Sequence, residues 1–229
     1  MTWSKEVHVL DGRSPPGNGW YAAFTKDPNG HHIHLMFLWH ASKDNLPHSR
    51  RNLYYMQMDH TTGKWTTMEN EELNTPLSFE EANKSVMIFD SKNKYSSIPQ
   101  HWLTVDGRPV GLNRISDRDG VDARHLHVWT GESWRTQKVP IDALLKPGKK
   151  EWVGFRSREG TVQRYTSKDE GAHWAPGEVI LKTDGEQKLN GLFAEAHRDA
   201  VLAIVDKVDE QRVPGKQRLW VWGDAGFLE

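Results

Sequence analysis

Residues 167–174 read SKDEGAHW, and they are preceded by a strand-like run, TVQRY, at 161–165. In this pattern the carboxylate of Asp169 can cap a turn, and Gly171 permits the positive φ that a tight turn requires. Trp174 can then cover the turn against the sheet. The pattern Ser-x-Asp-x-Gly-x-x-Trp therefore predicts a tight turn that joins two antiparallel strands.

The same arrangement recurs in weaker form along the chain. LYYMQMD at 53–59 is followed by GKW at 63–65, and HLHVWTGESW at 125–134 keeps the tryptophan but lacks the aspartate. TWS at 2–4 reads like the tail of a fourth copy. The tryptophans of these copies are spaced at intervals comparable to one propeller blade: Trp3, Trp65, Trp134 and Trp174. An internal repeat of this kind favours a β-propeller; the alternative is a set of unrelated hairpins whose tryptophans are core residues.

Hydrophobic periodicity indicates many short strands and few helices. Alternation with a period of two marks segments such as 33–39 and 126–128, whereas helical patterns are confined to 79–83 and 141–145. We therefore predict an all-β chain, a β-propeller of four antiparallel sheets, or five if 85–89 forms its own sheet. The predicted strands, blade by blade, are 20–25, 31–40, 51–58 and 65–68; 101–106, 108–115, 124–129 and 133–139; 150–156, 161–166 and 174–181; 189–197, 199–207 and 217–223.

The two ends of the chain bear on how the propeller closes. The last predicted blade lacks an outer strand, while residues 3–10 form a strand with no assigned place. We predict that 3–10 pairs with 217–223, of the same chain or of a partner chain, because this pairing would remove both sheet edges. Residues 1–229 would then form a single domain; the alternative is that they are the C-terminal portion of a larger propeller.

Composition narrows the classes of function. The chain has 229 residues, a formal net charge of -1 and no cysteine, which argues against a generally basic nucleic-acid surface and excludes disulfides and thiolate catalysis. No apolar run approaches the roughly 20 residues that span a bilayer, so we expect a soluble protein without a membrane partner. Residues 1–6 lack the apolar part of a signal peptide, and a secreted or periplasmic location is expected only if a leader has been removed.

Several short segments resemble the BNR-4 type, or Asp-box, propellers of polysaccharide lyases, including ulvan lyases. The matching segments cover most of the chain: 21–24, 30–40, 51–55, 105–109, 124–129 with 134–135, and 155–156. The resemblance implies a short or C-terminal version of that propeller. In those lyases a tyrosine on the first strand and an arginine at the end of the second take part in catalysis, together with histidines from earlier blades. Tyr21 matches the tyrosine, whereas His40 stands in place of the arginine.

The ends of the second strands supply the candidate binding residues. These strands end in His40, Arg114, Arg156 and Lys207, and their convergence would form a positive funnel for carboxylates or sulfates. We expect the funnel on the rim opposite Asp169, with 69–99 folded over it as a lid. The alternative is that these cations are solvated strand ends. The predicted substrate-binding residues are His34, Arg51, Gln100, His101, Arg114, Arg156 and Lys207, and the predicted catalytic residues are Tyr21 and His40.

Three functions fit these residues. The first is a lyase that cleaves a uronate-containing polysaccharide by β-elimination; the second is a glycan-binding propeller without catalysis; the third is a sialidase-like hydrolase. We expect an acidic polysaccharide or oligosaccharide as the partner, with a homo-oligomer left open. His32, His34 and His40 share one strand face but have no evident fourth ligand, so neither a metal nor another cofactor is predicted.

Overall fold

A computed structural model of the chain describes residues 6–12, 18–27, 29–41, 50–92, 94–116, 122–145, 147–184, 187–191, 200–206, 218–223 and 226–228. Four antiparallel sheets form the blades of a four-bladed β-propeller, which confirms the predicted fold class. No helix in these ranges is long and apolar enough to cross a membrane.

Blade 1 follows the predicted strands closely. From the inside outward it consists of β1 (Gly19–Lys26), β2 (His32–His40), β3 (Arg50–Asp59) and β4 (Trp65–Thr66). Helix α1 (Phe79–Ser85) follows, with a capping box in which Ser78 and Glu81 each bind the other's backbone N–H. β5 (Met87–Phe89) pairs with β3, so this segment extends blade 1 and does not form a fifth sheet.

The segment expected to form a lid lies mostly at the outer edge of blade 1. Leu77, Ala82 and Val86 are buried in one cluster with Phe37 and Trp39 of β2. Burial of each of the larger apolar side chains stabilises the folded protein by about 1.5–3 kcal/mol. This gain favours packing of the segment against blade 1 over a position above the rim. The lid prediction is therefore wrong for most of 69–99.

Blade 2 has a divided inner strand. β6 (Tyr95–Ser96) and β7 (Gln100–Leu103) both pair with β8 (Pro109–Ser116), which is followed by β9 (Asp122–Trp129) and β10 (Trp134–Val139). Gly111 of β8 faces Met36 of blade 1, and a Cβ at Gly111 would lie 2.3 Å from the Met36 sulfur. A glycine at this position thus allows blades 1 and 2 to approach each other.

Blades 3 and 4 each contain four strands. Blade 3 consists of β11 (Ala143–Leu144), β12 (Trp152–Arg158), β13 (Thr161–Ser167) and β14 (Ala175–Lys182). Blade 4 consists of β15 (Gln187–Gly191), β16 (Ala200–Asp206), β17 (Leu219–Gly223) and β18 (Gly226–Leu228). Buried Ala143 and Leu144 form the inner strand of blade 3, where the sequence predicted a helical turn and an abbreviated blade.

The N-terminal segment does not complete blade 4. Leu10 forms a parallel bridge with Leu77, and Asp11 N donates a hydrogen bond to Leu77 O at 2.8 Å. β18, which was not predicted, pairs with β17 and occupies the outer position of blade 4. The predicted pairing of 3–10 with 217–223 is therefore wrong for the described part of that segment, residues 6–10.

The repeat tryptophans occupy equivalent outer positions, as predicted. Trp65 begins β4, Trp134 begins β10, and Trp174 directly precedes β14; Trp3 lies outside the described residues. At the Asp169 turn, Gly171 N donates to Ser167 Oγ at 2.8 Å, and Trp174 Nε1 donates to Gly171 O at 3.0 Å. Gly171 has φ +81°, so the turn requires the positive φ that the glycine of the motif predicted.

Side chains of blade 2 hold this turn of blade 3. Arg108 Nη1 donates to Glu170 Oε2 at 3.0 Å, and Arg135 donates to the backbone oxygen of Glu170. Gln137 Nε2 donates to Ala172 O at 3.0 Å. The turn is thus fixed to its neighbouring blade by bonds that mostly end on backbone oxygens.

Candidate functional site: a cationic cavity on one rim

β8 connects the two rims of the propeller. Its N-terminal end lies beside the Asp169 turn, where Arg108 contacts Glu170. Arg114 lies six residues further along, and a strand advances about 3.3 Å per residue, so the two arginines are roughly 20 Å apart. Arg114, near the end of β8, therefore lies on the rim opposite the Asp169 turn.

A cavity of about 900 Å³ opens on that opposite rim. Its lining contains four arginines and two aspartates, which leaves it with an excess of positive charge. Residues from all four blades contribute to it: Arg50, Ser97, Ile98, Gln100, Arg114, Asp122, Arg124, Val139, Pro140, Asp142, Arg156, Ser157 and Leu189. The structure thus brings together three of the predicted binding residues, Gln100, Arg114 and Arg156.

Tyr21, His40 and Arg50 form a group beside the cavity. The Tyr21 and His40 rings pack edge to face with their centroids 5.2 Å apart. Arg50 is the cross-strand partner of His40, and its Cζ lies 4.4 Å from the centroid of the Tyr21 ring. Since Arg50 also lines the cavity, it connects the two predicted catalytic residues to that space.

Tyr95 lies between two of the arginines. Arg50 Nη1 donates a hydrogen bond to the Tyr95 hydroxyl at 3.2 Å. Arg114 Cζ lies 5.4 Å from the centroid of the Tyr95 ring, within the range of a cation–π interaction. Tyr21, Arg50, Tyr95 and Arg114 thus form an alternating row of rings and guanidinium groups across blades 1 and 2.

Two of the four arginines already have carboxylate partners. Arg114 Nη1 lies 3.3 Å from Asp122 Oδ2, and Arg124 Nε donates to Asp142 Oδ1 at 2.8 Å. Arg50 and Arg156 have no ion pair with any residue that the structure describes. These two guanidinium groups are therefore the more available partners for an external anion.

His34 and His101 are buried between blades 1 and 2, and neither lines the cavity. Each side chain is 3 % exposed. Burial lowers the pKa of His34 to about 4 and that of His101 to about 3, because a low-dielectric environment disfavours the charged imidazole. His34 Nδ1 is hydrogen bonded to the Tyr55 hydroxyl. These positions correct the expectation that the two histidines contact substrate.

Arg51 points away from the cavity as well. Its cross-strand partner is Trp39, and its Cζ lies 5.7 Å from the ring centroid of Phe79 in α1. Because side chains alternate along a strand, Arg50 and Arg51 face opposite sides of blade 1. Of these two arginines, Arg50 therefore lines the cavity, whereas the sequence analysis had predicted Arg51 as a binding residue. Lys207 lies outside the described residues.

Arg50, Tyr95, Arg124 and Asp142 were not predicted from the sequence. Arg124 is the cross-strand partner of Arg114, and the β8–β9 register could have identified it. Arg50 could have been found only if the register of β2 and β3 were known. Within the described ranges, no three histidine, aspartate or glutamate side chains are grouped as metal ligands.

The fold and the site together define a repeat-built β-propeller with its turn motif on one rim and a cationic cavity on the other. The sequence profile of the BNR repeat-containing family matches residues 2–141, more than half of the chain. The chain belongs to this family, which confirms the resemblance read from its motifs.

Curated relatives that the chain matches are ulvan lyases. The chain is 23% identical to an ulvan lyase of Nonlabens ulvanivorans over 93% of its own length and 49% of the relative. It is 20% identical to ulvan lyase PL25 of Pseudoalteromonas sp. (strain PLSV), covering 78% of this chain and 40% of the relative. The chain thus spans about half the length of the curated relatives it matches, or less.

Solved structures show the same fold. A polysaccharide lyase PL25 ulvan lyase superposes with a TM-score of 0.76 at 18% identity, covering 92% of this chain and 52% of the other. The Hadza microbial sialidase Hz136 matches with a TM-score of 0.55 at 16% identity, covering 98% of this chain and 48% of the other. The chain therefore shares its propeller fold with a polysaccharide lyase and with a sialidase.

Proposed function

We propose that the chain binds a uronate-containing acidic polysaccharide in the rim cavity and cleaves it by β-elimination. One observation carries this proposal. Arg50 lines the cavity together with three other arginines, and it also contacts Tyr21, which packs against His40. A PL25 ulvan lyase of the same fold has been solved bound to -[GlcA(1-4)Rha3S]-, a ligand that carries both carboxylate and sulfate groups.

The reaction requires three groups around one uronate. A base takes the proton from C5, the electron pair of that bond forms a C4=C5 double bond, and the C4–O bond to the neighbouring sugar breaks. An acid then protonates the leaving oxygen, while a cation neutralises the carboxylate and makes the C5 proton more acidic. In the proposed site, His40 is the base and the Tyr21 hydroxyl is the acid.

The proposal is tested by the product. The chain is incubated with a panel of uronate polymers, and the ultraviolet absorbance of the C4–C5 unsaturated uronate is followed. We expect product from at least one polymer with the wild type, and a loss of at least about 100-fold in kcat for Tyr21→Phe and His40→Gln, the scale of an acid–base contribution. Lys149→Ala, on the opposite rim, is the matched control and should retain full activity.

Two other outcomes would replace the proposed reaction. Tight binding of a uronate polymer with no unsaturated product would identify a glycan-binding propeller without catalysis. Release of free sialic acid from a sialylated oligosaccharide, without unsaturated product, would identify the sialidase-like hydrolase, the alternative for which the Hadza sialidase provides a structural counterpart.

A further inference from the structure

We propose that Arg50 binds the carboxylate of the uronate that reacts, and that the cation required at the reacting sugar thus comes from the start of β3. This inference rests on the proposed function and names a residue for it. Three observations support it: the position of Arg50 next to His40, its contact with Tyr21, and the absence of a carboxylate partner among the described residues.

The first observation is the fixed position of the side chain. Arg50 is the first residue of β3 and pairs with His40, the last residue of β2. Directly opposed residues of an antiparallel pair hold their Cβ atoms about 4.5–5.5 Å apart. A carboxylate bound to Arg50 would therefore place its own sugar within reach of the His40 imidazole.

The second observation is that two tyrosines hold the guanidinium in place. Its Cζ lies 4.4 Å from the Tyr21 ring centroid, and its Nη1 donates to the Tyr95 hydroxyl at 3.2 Å. Neither contact neutralises the charge. A guanidinium has five N–H groups, and the Tyr95 hydroxyl uses one, so enough donors remain for a two-pronged bond to a carboxylate.

The third observation distinguishes Arg50 from the other arginines of the cavity. Arg114 and Arg124 are paired with Asp122 and Asp142, so a substrate carboxylate would have to compete with these aspartates. Arg156 has no carboxylate partner in the described part of the chain, but it lies on blade 3, whereas Tyr21 and His40 lie on blade 1. Arg50 is thus suited to the reacting uronate and Arg156 to an acidic group further along the polymer.

The chemistry requires that the base and the cation be different residues. An imidazole that accepts the C5 proton must be neutral before the reaction, so it cannot also neutralise the carboxylate. Arginine remains charged at any physiological pH. His40 and Arg50, as cross-strand neighbours, divide the two tasks between them.

The test compares Arg50→Gln and Arg50→Lys with Lys149→Gln, on the opposite rim, as the control and with Arg156→Gln as a second cavity variant. Each variant is checked for an unchanged melting temperature. We expect Arg50→Gln to lower kcat by at least about 100-fold, the scale of a lost transition-state hydrogen-bond donor, and Arg50→Lys to lower it less. Arg156→Gln should raise KM and leave kcat within about threefold. Added guanidinium or methylguanidinium should restore part of the activity of Arg50→Gln and none to Tyr21→Phe, since a purely structural role would not respond to a free cation.

The outcomes separate this inference from the proposed function. If the wild type forms unsaturated product and Arg50→Gln keeps a kcat near that of the wild type, the role of Arg50 is refuted while the lyase activity stands. If the wild type forms no product, elimination is refuted, and calorimetric titration with a uronate oligosaccharide decides the role of Arg50. A loss of about tenfold or more in affinity for Arg50→Gln would then support carboxylate binding, and an unchanged affinity would overturn it.

Discussion

Arg114 and Arg124 lie directly opposite each other on β8 and β9, an arrangement in which two like charges repel. Asp122 and Asp142 offset this repulsion, and Asp142 also accepts a hydrogen bond from Ser157 N at 3.0 Å. The two aspartates thus fix the arginines in the wall of the cavity. The excess of positive charge that remains is carried by Arg50 and Arg156.

At the residue scale, Arg156 provides a direct test of anion binding. Because it has no ion pair with a described residue, replacement by alanine should remove a charged hydrogen bond to the ligand without freeing a carboxylate. We expect Arg156→Ala to weaken binding of a polyuronate by about 1.5–3 kcal/mol, measured by calorimetry. Unchanged affinity, equal to that of Lys149→Ala on the other rim, would contradict the acidic-glycan proposal. Whether Arg114 also binds a carboxylate stays a prediction, since Asp122 occupies part of its guanidinium.

Gly171 gives a second residue-scale prediction, on stability. A Cβ at Gly171 would lie 2.3 Å from Leu126 Cδ2, in a turn with φ +81°. Gly131 has φ +105° with nothing within 4 Å of such a Cβ, so it is the matched control for backbone strain alone. Gly131→Ala should cost about 1–2 kcal/mol of unfolding free energy, and Gly171→Ala about 1–3 kcal/mol more because of overpacking. Equal urea midpoints for the two variants would show that the steric contact is relieved without cost.

At the element scale, the interface between blades 1 and 2 contains polar side chains that a sheet interface usually lacks. His127 Nε2 is hydrogen bonded to Asn113 Oδ1 at 3.0 Å, and its Nδ1 to Thr136 Oγ1 at 2.9 Å. Burial lowers its pKa to about 3. Together with His34 and His101, it makes the contact between these two blades dependent on neutral imidazoles.

The sign of the resulting pH dependence follows from the lowered pKa values. The unfolded chain binds protons at an ordinary histidine pKa of 6.5, whereas folded His34 binds one only near pH 4. Stability is therefore complete above about pH 6.5 and falls as the pH decreases, by about 1.4 kcal/mol per pH unit for each such imidazole. His34→Gln should reduce the slope of unfolding free energy against pH between 6.5 and 4 relative to the wild type. Exposed His60→Gln should leave the slope unchanged; an identical slope in all three proteins would contradict the assignment.

The strands illustrate what the sequence predicts at this scale. β2, β8 and β9 were predicted within about two residues because their alternation has a regular period of two. β11 was not predicted, because a strand of two buried residues, Ala143 and Leu144, is too short to show an alternating pattern. β18 has only three residues, too few to give a pattern of its own.

At the scale of the whole molecule, the sequence repeat predicted the propeller fold. Which residues line the site depends in addition on the register between neighbouring strands, which the repeat does not give. His40, Arg114 and Arg156 belong to equivalent strands, and that equivalence placed them on one rim. Arg50 could not be placed, because the register between β2 and β3 is not encoded by any repeat. The burial of His34 and His101 could not be predicted for a similar reason. Alternation shows which residues share a face of a sheet, but not which face packs against the next blade. A homo-oligomer stays a prediction, which the mass in solution would check.

The charge of the whole molecule leads to a further prediction. The formal net charge is -1, so the proposed attraction of a polyanion would arise from the rim cavity and not from the protein as a whole. We expect binding of a polyuronate to weaken as ionic strength rises from about 0.05 M to about 0.5 M. Salt screens the electrostatic attraction between the four arginines and the polyanion. Arg156→Ala should show a smaller salt dependence than the wild type. A salt dependence equal to that of the wild type would place the binding surface elsewhere.

The hydrogen bonds from blade 2 to the blade 3 turn affect how much the amino-acid sequence of that turn can vary. Arg135 and Gln137 bind the backbone oxygens of residues 170 and 172, and a backbone oxygen is the same whatever amino acid carries it. The side chain of Ala172 can therefore be exchanged in a saturation library with little effect on folding, whereas Arg135 and Gln137 should tolerate few replacements. Positions 170 and 172 are variable positions of the motif, and the specific residues that hold their backbone oxygens belong to the adjacent blade.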